Sequence, residues 1–150
     1  MKHQQLQDGN AERVFVLVFD TDDEVSDGLT SWARTQRISA AAFTGIGAFR
    51  RVTVGYFDPE QRKYLPIEID EQVEVLSLAG NIALADGSPK VHAHVVLGKR
   101  DGTAHGGHLL SAHVRPTLEL VVRESGATMR RTMDAATGLP LINPSEASPR

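Results

Sequence analysis

Residues 90–114, KVHAHVVLGKRDGTAHGGHLLSAHV, hold five of the six histidines in the chain. Imidazoles can bind divalent metals, relay protons or simply coat a solvated sheet, so their spacing has to separate these chemistries. Side chains alternate faces along a strand; His92 and His94 therefore point one way, while Val91, Ala93, Val95 and Leu97 point the other. The apolar set marks the core side and puts the two imidazoles together on the opposite face. The following turn decides which later histidine joins them. A two-residue turn at Asp101-Gly102 would set His108 opposite Val95, on the wrong face. A three-residue loop, Arg100-Asp101-Gly102, with glycine in the left-handed position, sets His94 directly opposite His108. With that loop His92, His94 and His108 converge. The same parity sends His105 and His113 to the other face, toward solvent, a subunit contact or a hydrogen-bond partner, unless Gly106-Gly107 bulges and slips the register.

Three neutral imidazoles around one divalent ion, with a fourth position open to water, form the ligand set of a catalytic zinc site. The chain has no cysteine, so zinc or another divalent metal would have to be held by His, Asp or Glu. The competing reading is a chance His-x-His pair on a wet face, with His108 bonded to a backbone carbonyl. Glu71, Glu74 and Glu119 are the carboxylates available to orient a ligand or act as a general base, at distances the spacing does not fix.

The elements that must carry these residues are mostly strands. RVFVLVFD (13–20) is a β-branched and aromatic run ending at DTDDEV, which reads as a buried strand followed by a helix start. Asp22 to Gln36 then places Val25, Leu29, Trp32 and Ala33 at helical spacing, with Thr21 or Asp22 as the expected cap. From Ile38 onward SAAAFTGIGAFRRVTVGYFD, KYLPIEID, QVEVLSLAGNIAL, the histidine hairpin, TLELVVRES and ATMRRTMD read as strands, about six to eight in all. Turn signals at Asp58-Pro59, Asp86-Gly87 and Asp101-Gly102 fit an antiparallel meander. The predicted class is α+β: a mostly antiparallel sheet with one principal helix in a single compact domain. That domain spans residues 1–143, and the Pro- and Ser-rich residues 144–150 are expected to be disordered. TGIGAF (44–49) matches neither GxGxxG nor GxxxxGK[ST] and precedes no helix, so its glycines read as a bulge or a close backbone approach rather than a phosphate cradle.

A length of 150 residues suffices for one self-supporting core. With 41% hydrophobic and 23% charged residues the composition is that of a soluble globular protein, and no apolar run approaches a membrane span of about 20 residues. MKHQQLQDGNAER lacks the apolar core of a signal peptide, so the expected location is cytoplasmic. A net charge of −3 argues against nucleic-acid binding through bulk electrostatics. The short basic runs Arg50-Arg51, Lys99-Arg100 and Arg130-Arg131 read as solvated surface.

TGIGAFRRVTVGYFD, EVLSLAGNIALADGSPKVHAHVVLGKRDGTAHGGHLL and RRTMDAATGLPLI together resemble the plant-and-prokaryote-conserved (PPC) domain, over about residues 9–142. The resemblance implies an α+β domain that assembles as a homotrimer. It also implies an interaction module with protein partners in DNA-associated or regulatory assemblies. The family's plant members contact DNA mainly through an AT-hook, an Arg-Gly-Arg segment that this chain lacks, so direct DNA binding gains little from the resemblance. Prokaryotic members carry H-x-H followed by G-G-H, associated with metal, and the matching positions are His92, His94 and His108. The alternative function is a zinc-dependent enzyme of hydrolase or lyase type. Enzyme status stays open between the two.

Overall fold

The computed structural model describes residues 1–8 and 12–149. Eleven strands and one α-helix follow in order among the described residues: β1 (Lys2–Asp8), β2 (Arg13–Asp20), α1 (Val25–Thr35), β3 (Ala40–Asp58), β4 (Lys63–Ile69), β5 (Val73–Ala85), β6 (Ser88–Gly98), β7 (Ala104–Glu124), β8 (Ala127–Thr128), β9 (Arg130–Met133), β10 (Pro140–Ile142) and β11 (Ser148–Pro149). This is the expected α+β class. The strand count exceeds the expected six to eight because β1, β10 and β11 lie outside the runs read as strands and ATMRRTMD is divided into β8 and β9. Over the segment from Pro144, expected to be disordered, Pro144–Glu146 forms a 3-10 turn and β11 pairs with β8.

Among the described residues every ladder is antiparallel except the short pairing of β5 with β9. TLELVVRES is not a separate strand but the second half of β7, which runs through a cis Arg115–Pro116 bond. The length of β3 and β7 sets the architecture. The first half of β3 pairs with β5 and with the end of β7, and its second half pairs with β4 and with the start of β7. Since β6 pairs with both β5 and β7, the ladders β3–β5–β6–β7–β3 close on themselves. Alternate residues such as Phe43, Leu78, Val95, Leu97, Leu118 and Leu120 fill the inside. α1 packs against β6 and β7 and buries Val25, Leu29, Trp32 and Ala33, the stripe its spacing predicted.

The helix starts later than expected. Its N-cap is Glu24, whose carboxylate accepts from Asp27 N at 2.6 Å and from Ala112 N at 3.0 Å. Neither Thr21 nor Asp22 caps it: Asp23 N donates to Asp20 O at 3.1 Å, and Asp22 takes a left-handed φ of 71°, so these residues form a turn. Gly47 lies beside a register shift of β3, where a Cβ would fall 2.3 Å from Thr117 O; the glycines of TGIGAF thus serve bulge and close approach. No helix among the described residues is long and apolar enough to cross a membrane.

Candidate metal centre

The histidines are placed by the β6–β7 hairpin. Lys99 N donates to Thr103 O at 2.9 Å and Gly102 N to Lys99 O at 2.9 Å, leaving the three-residue loop Arg100-Asp101-Gly102 with Gly102 at φ 82°. The register that follows sets His94 opposite His108. One cross-strand row runs through Val16, Val121, Thr44, Ala79, His94 and His108, with His92 two residues along β6 from His94. His92 and His108 are half-buried and His94 is exposed.

The three rings offer nitrogen atoms that all lie within 4.8 Å of one another. His92 Nε2 and His94 Nε2 are 3.2 Å apart. Two nitrogens bound tetrahedrally at about 2.05 Å from one zinc ion would be about 3.3 Å apart, so this pair already has the spacing of two ligands. His108 Nδ1 is buried without a hydrogen-bond partner, rather than bonded to a backbone carbonyl. Spacing and an orphaned nitrogen both suit a divalent ion. Burial, then the neighbouring His92, His94 and Lys90 charges, holds His108 down to about 4; burial, then Arg131 and His94, lowers His92 as well. Both rings are therefore neutral at pH 7, the protonation state a ligand needs.

Around this trio the structure adds residues that spacing did not reveal. Tyr64 of β4 stacks on the His108 ring, with centroids 4.3 Å apart and planes 21° from parallel. Gly55, the partner of His108 on β3, makes room for it, because a Cβ there would meet Tyr64 Cδ1 at 2.8 Å. Asn81 lies opposite His92, and its Oδ1 accepts a hydrogen bond from Arg131. Arg131 is buried, not solvated as its place in a basic run suggested; its second anchor is Pro140 O at 3.2 Å. Tyr64, Lys90, His92, His108, Arg131 and the segment Leu139–Leu141 line an open-sided cavity of about 260 Å³.

The remaining candidates stay apart from the trio. His105 is exposed, with Thr103 Oγ1 3.3 Å away, and His113 lies 3.2 Å from the Arg51 guanidinium. Glu71 pairs with Lys99 at 2.6 Å, Glu74 is exposed opposite Gly98, and Glu119 is exposed opposite Ile46. None of the three lines the cavity beside the triad, so the expected carboxylate base is not brought to it.

Residues 6–126 match the model of the Plants and Prokaryotes Conserved (PCC) domain. The chain belongs to this family. A metal-containing protein from Archaeoglobus fulgidus is 38% identical, with a TM-score of 0.80 over 87% of this chain and 92% of that one. A PPC protein from Pyrococcus horikoshii is 31% identical, with a TM-score of 0.84 over 89% and 93%. A protein from Bacteroides thetaiotaomicron, described as a candidate DNA-binding protein, is 27% identical, with a TM-score of 0.84 over 94% and 96%. Comparison with curated proteins gives no match. The PCC domain thus supplies the fold, and no specific activity comes with it.

Proposed function

We propose that this PCC-domain protein is a metal protein in which His92, His94 and His108 hold one zinc ion. The observation that carries the reading is the convergence of three imidazole nitrogens within 4.8 Å, two of them at ligand spacing. The metal-containing relative from Archaeoglobus fulgidus supports it. With three protein donors a tetrahedral ion keeps one open position, which is the pattern of catalytic rather than structural zinc. Zinc at such a position supplies a Lewis acid and a bound water of pKa about 7, the chemistry of a hydrolase or lyase. Protein purified without an affinity tag should carry one zinc per chain, and His94→Ala, at an exposed position, should lose it with the fold intact. Sub-stoichiometric metal in the parent protein overturns the reading. Stripping the metal with no change in melting temperature or mass favours chemistry at the ion over bracing of the fold.

A second reading concerns self-association. Ile46, Leu76 and Val96 are 62%, 55% and 44% exposed, and Val121 is exposed beside them on the outer face of the sheet. The register brings them close together: Ile46 lies opposite Glu119, two residues from Val121, and Val96 lies opposite Ser77, next to Leu76. We propose that further copies of the chain cover this patch in a homotrimer, as the family resemblance implies. A mass near 16 kDa by light scattering at micromolar concentration overturns the trimer, and Ile46→Arg should dissociate it. In such an assembly the domain would also bind protein partners. Direct contact with DNA is not part of this reading: the net charge is −3, and burial withdraws Arg131 from any exposed basic patch.

A further inference from the structure

We propose that the cavity between the histidine triad and Arg131 binds a small carboxylate, its anionic end on Arg131 and Lys90 and its alkyl end against Leu139, Pro140 and Leu141. The inference deepens the zinc reading and rests on it, because the metal is the third positive group at the site. Size comes first: about 260 Å³ is below the roughly 300–1,000 Å³ of sites for drug-sized ligands, so the occupant is small. Charge comes next. Lys90 and Arg131 line the cavity, Tyr64 lines it too, and no Asp or Glu does. The Tyr64 hydroxyl can donate a hydrogen bond to an anion. Apart from the histidine rings, the side-chain polar groups facing the cavity are thus donors or cations.

Arg131 carries the argument furthest. Among the described residues no ion pair involves it or Lys90. A buried guanidinium without a carboxylate is costly, and the two neutral acceptors, Asn81 Oδ1 and Pro140 O, leave Arg131 Nε buried and unpartnered. Those same bonds fix the group in place, so an anion arriving there meets a preorganised cation rather than a floppy one. Val91, Leu139, Pro140 and Leu141 make the rest of the wall apolar. That half would leave a fully charged phosphate unsatisfied, whereas a short branched alkyl chain fills it.

The test is calorimetric titration of the full chain, zinc-loaded, with isobutyrate, with its uncharged analogue isobutyramide and with inorganic phosphate. Isobutyrate should saturate at one site per chain, with the other two at least about tenfold weaker, the size of one charge-assisted hydrogen bond. Arg131→Lys should weaken isobutyrate by about tenfold with zinc content unchanged. Arg131 is buried and its replacement can unfold the chain, so two rim variants accompany it: Lys90→Met should weaken binding several-fold, and Leu141→Asp should abolish it. Equal binding of acid and amide, or no saturable binding to protein with full zinc, overturns the carboxylate site and leaves the metal reading standing. Phosphate binding as tightly as isobutyrate overturns the carboxylate assignment. Unchanged affinity in both rim variants overturns the placement. Failure to take up zinc at all overturns both readings together.

Discussion

The side-chain oxygen of Asn81 accepts a hydrogen bond from the buried guanidinium of Arg131, while Asn81 itself sits opposite His92 in the β5–β6 ladder. One amide therefore ties β5, the neighbour of the strand that carries His92 and His94, to the short strand β9. The G-N-I stretch of the sequence and its distant R-R-T-M-D stretch meet at this point.

Replacing Asn81 by Ala should leave the Arg131 charge buried with one neutral acceptor fewer. The expected loss is about 1.5–3 kcal/mol, read from the midpoint of urea unfolding. Zinc stoichiometry should stay unchanged, because no triad member is touched. A variant as stable as the parent would show that the amide does not hold the guanidinium in solution.

Gly47→Ala tests the close approach of β3 and β7. The added carbon would fall 2.3 Å from Thr117 O and 2.7 Å from Leu118 Cα, both backbone atoms that cannot swing aside. The strands would have to separate, at a cost of about 1–3 kcal/mol or more. Gly87→Ala is the control for a glycine with nothing within 4 Å, where only its φ of 76° matters. Thermal melting should fall further for Gly47→Ala than the turn variant accounts for.

The legible part of the molecule was the part governed by periodicity. The apolar run located β2 to its end residues, and alternation put His92 and His94 on one face; a register shift between Leu109 and Ser111 breaks the same parity before His113. Loop length then aligned His94 with His108. Helical spacing found the buried stripe of α1, but not its start, since Asp22, Asp23 and Glu24 in a row offer several caps and only the turn at Asp22 decides among them. The cavity side of the site was hidden for a different reason. Arg131, Asn81 and Tyr64 come from three strands far apart in sequence, and each is an ordinary surface residue type until the sheet closes. A basic pair is usually solvated; here β10 covers half of it, and the carbonyl of Pro140 holds what was covered.

The cap on α1 gives a third prediction. Glu24 accepts from Asp27 N and from Ala112 N, so its carboxylate satisfies one helix donor and one β7 donor at once. Glu24→Ala should cost about 1–2 kcal/mol, near the upper end for a helix cap, while Glu24→Gln should recover part of it because the amide oxygen still accepts. Equal loss in both variants would mean that the negative charge, rather than the acceptor, is what the helix end requires.

The last prediction concerns pH. In the folded metal-free protein His108 titrates at about 4 against an ordinary 6.5, chiefly because burial disfavours the charged ring, and His92 is lowered too. Above pH 6.5 the ring is neutral in both folded and unfolded chains. Between about 4 and 6.5 the unfolded chain binds a proton that the folded chain refuses, so stability rises with pH across this window and is lost as pH falls through it. Urea midpoints of chelator-treated protein should therefore drop between pH 7 and pH 5. His108→Phe, which keeps a ring against Tyr64 but cannot be protonated, should show a shallower drop. Zinc should steepen the loss of the parent protein at low pH, because protons then compete with a bound ion for the same nitrogens. An identical pH slope in parent and His108→Phe, with and without metal, would show that His108 does not set the acid limit of this fold.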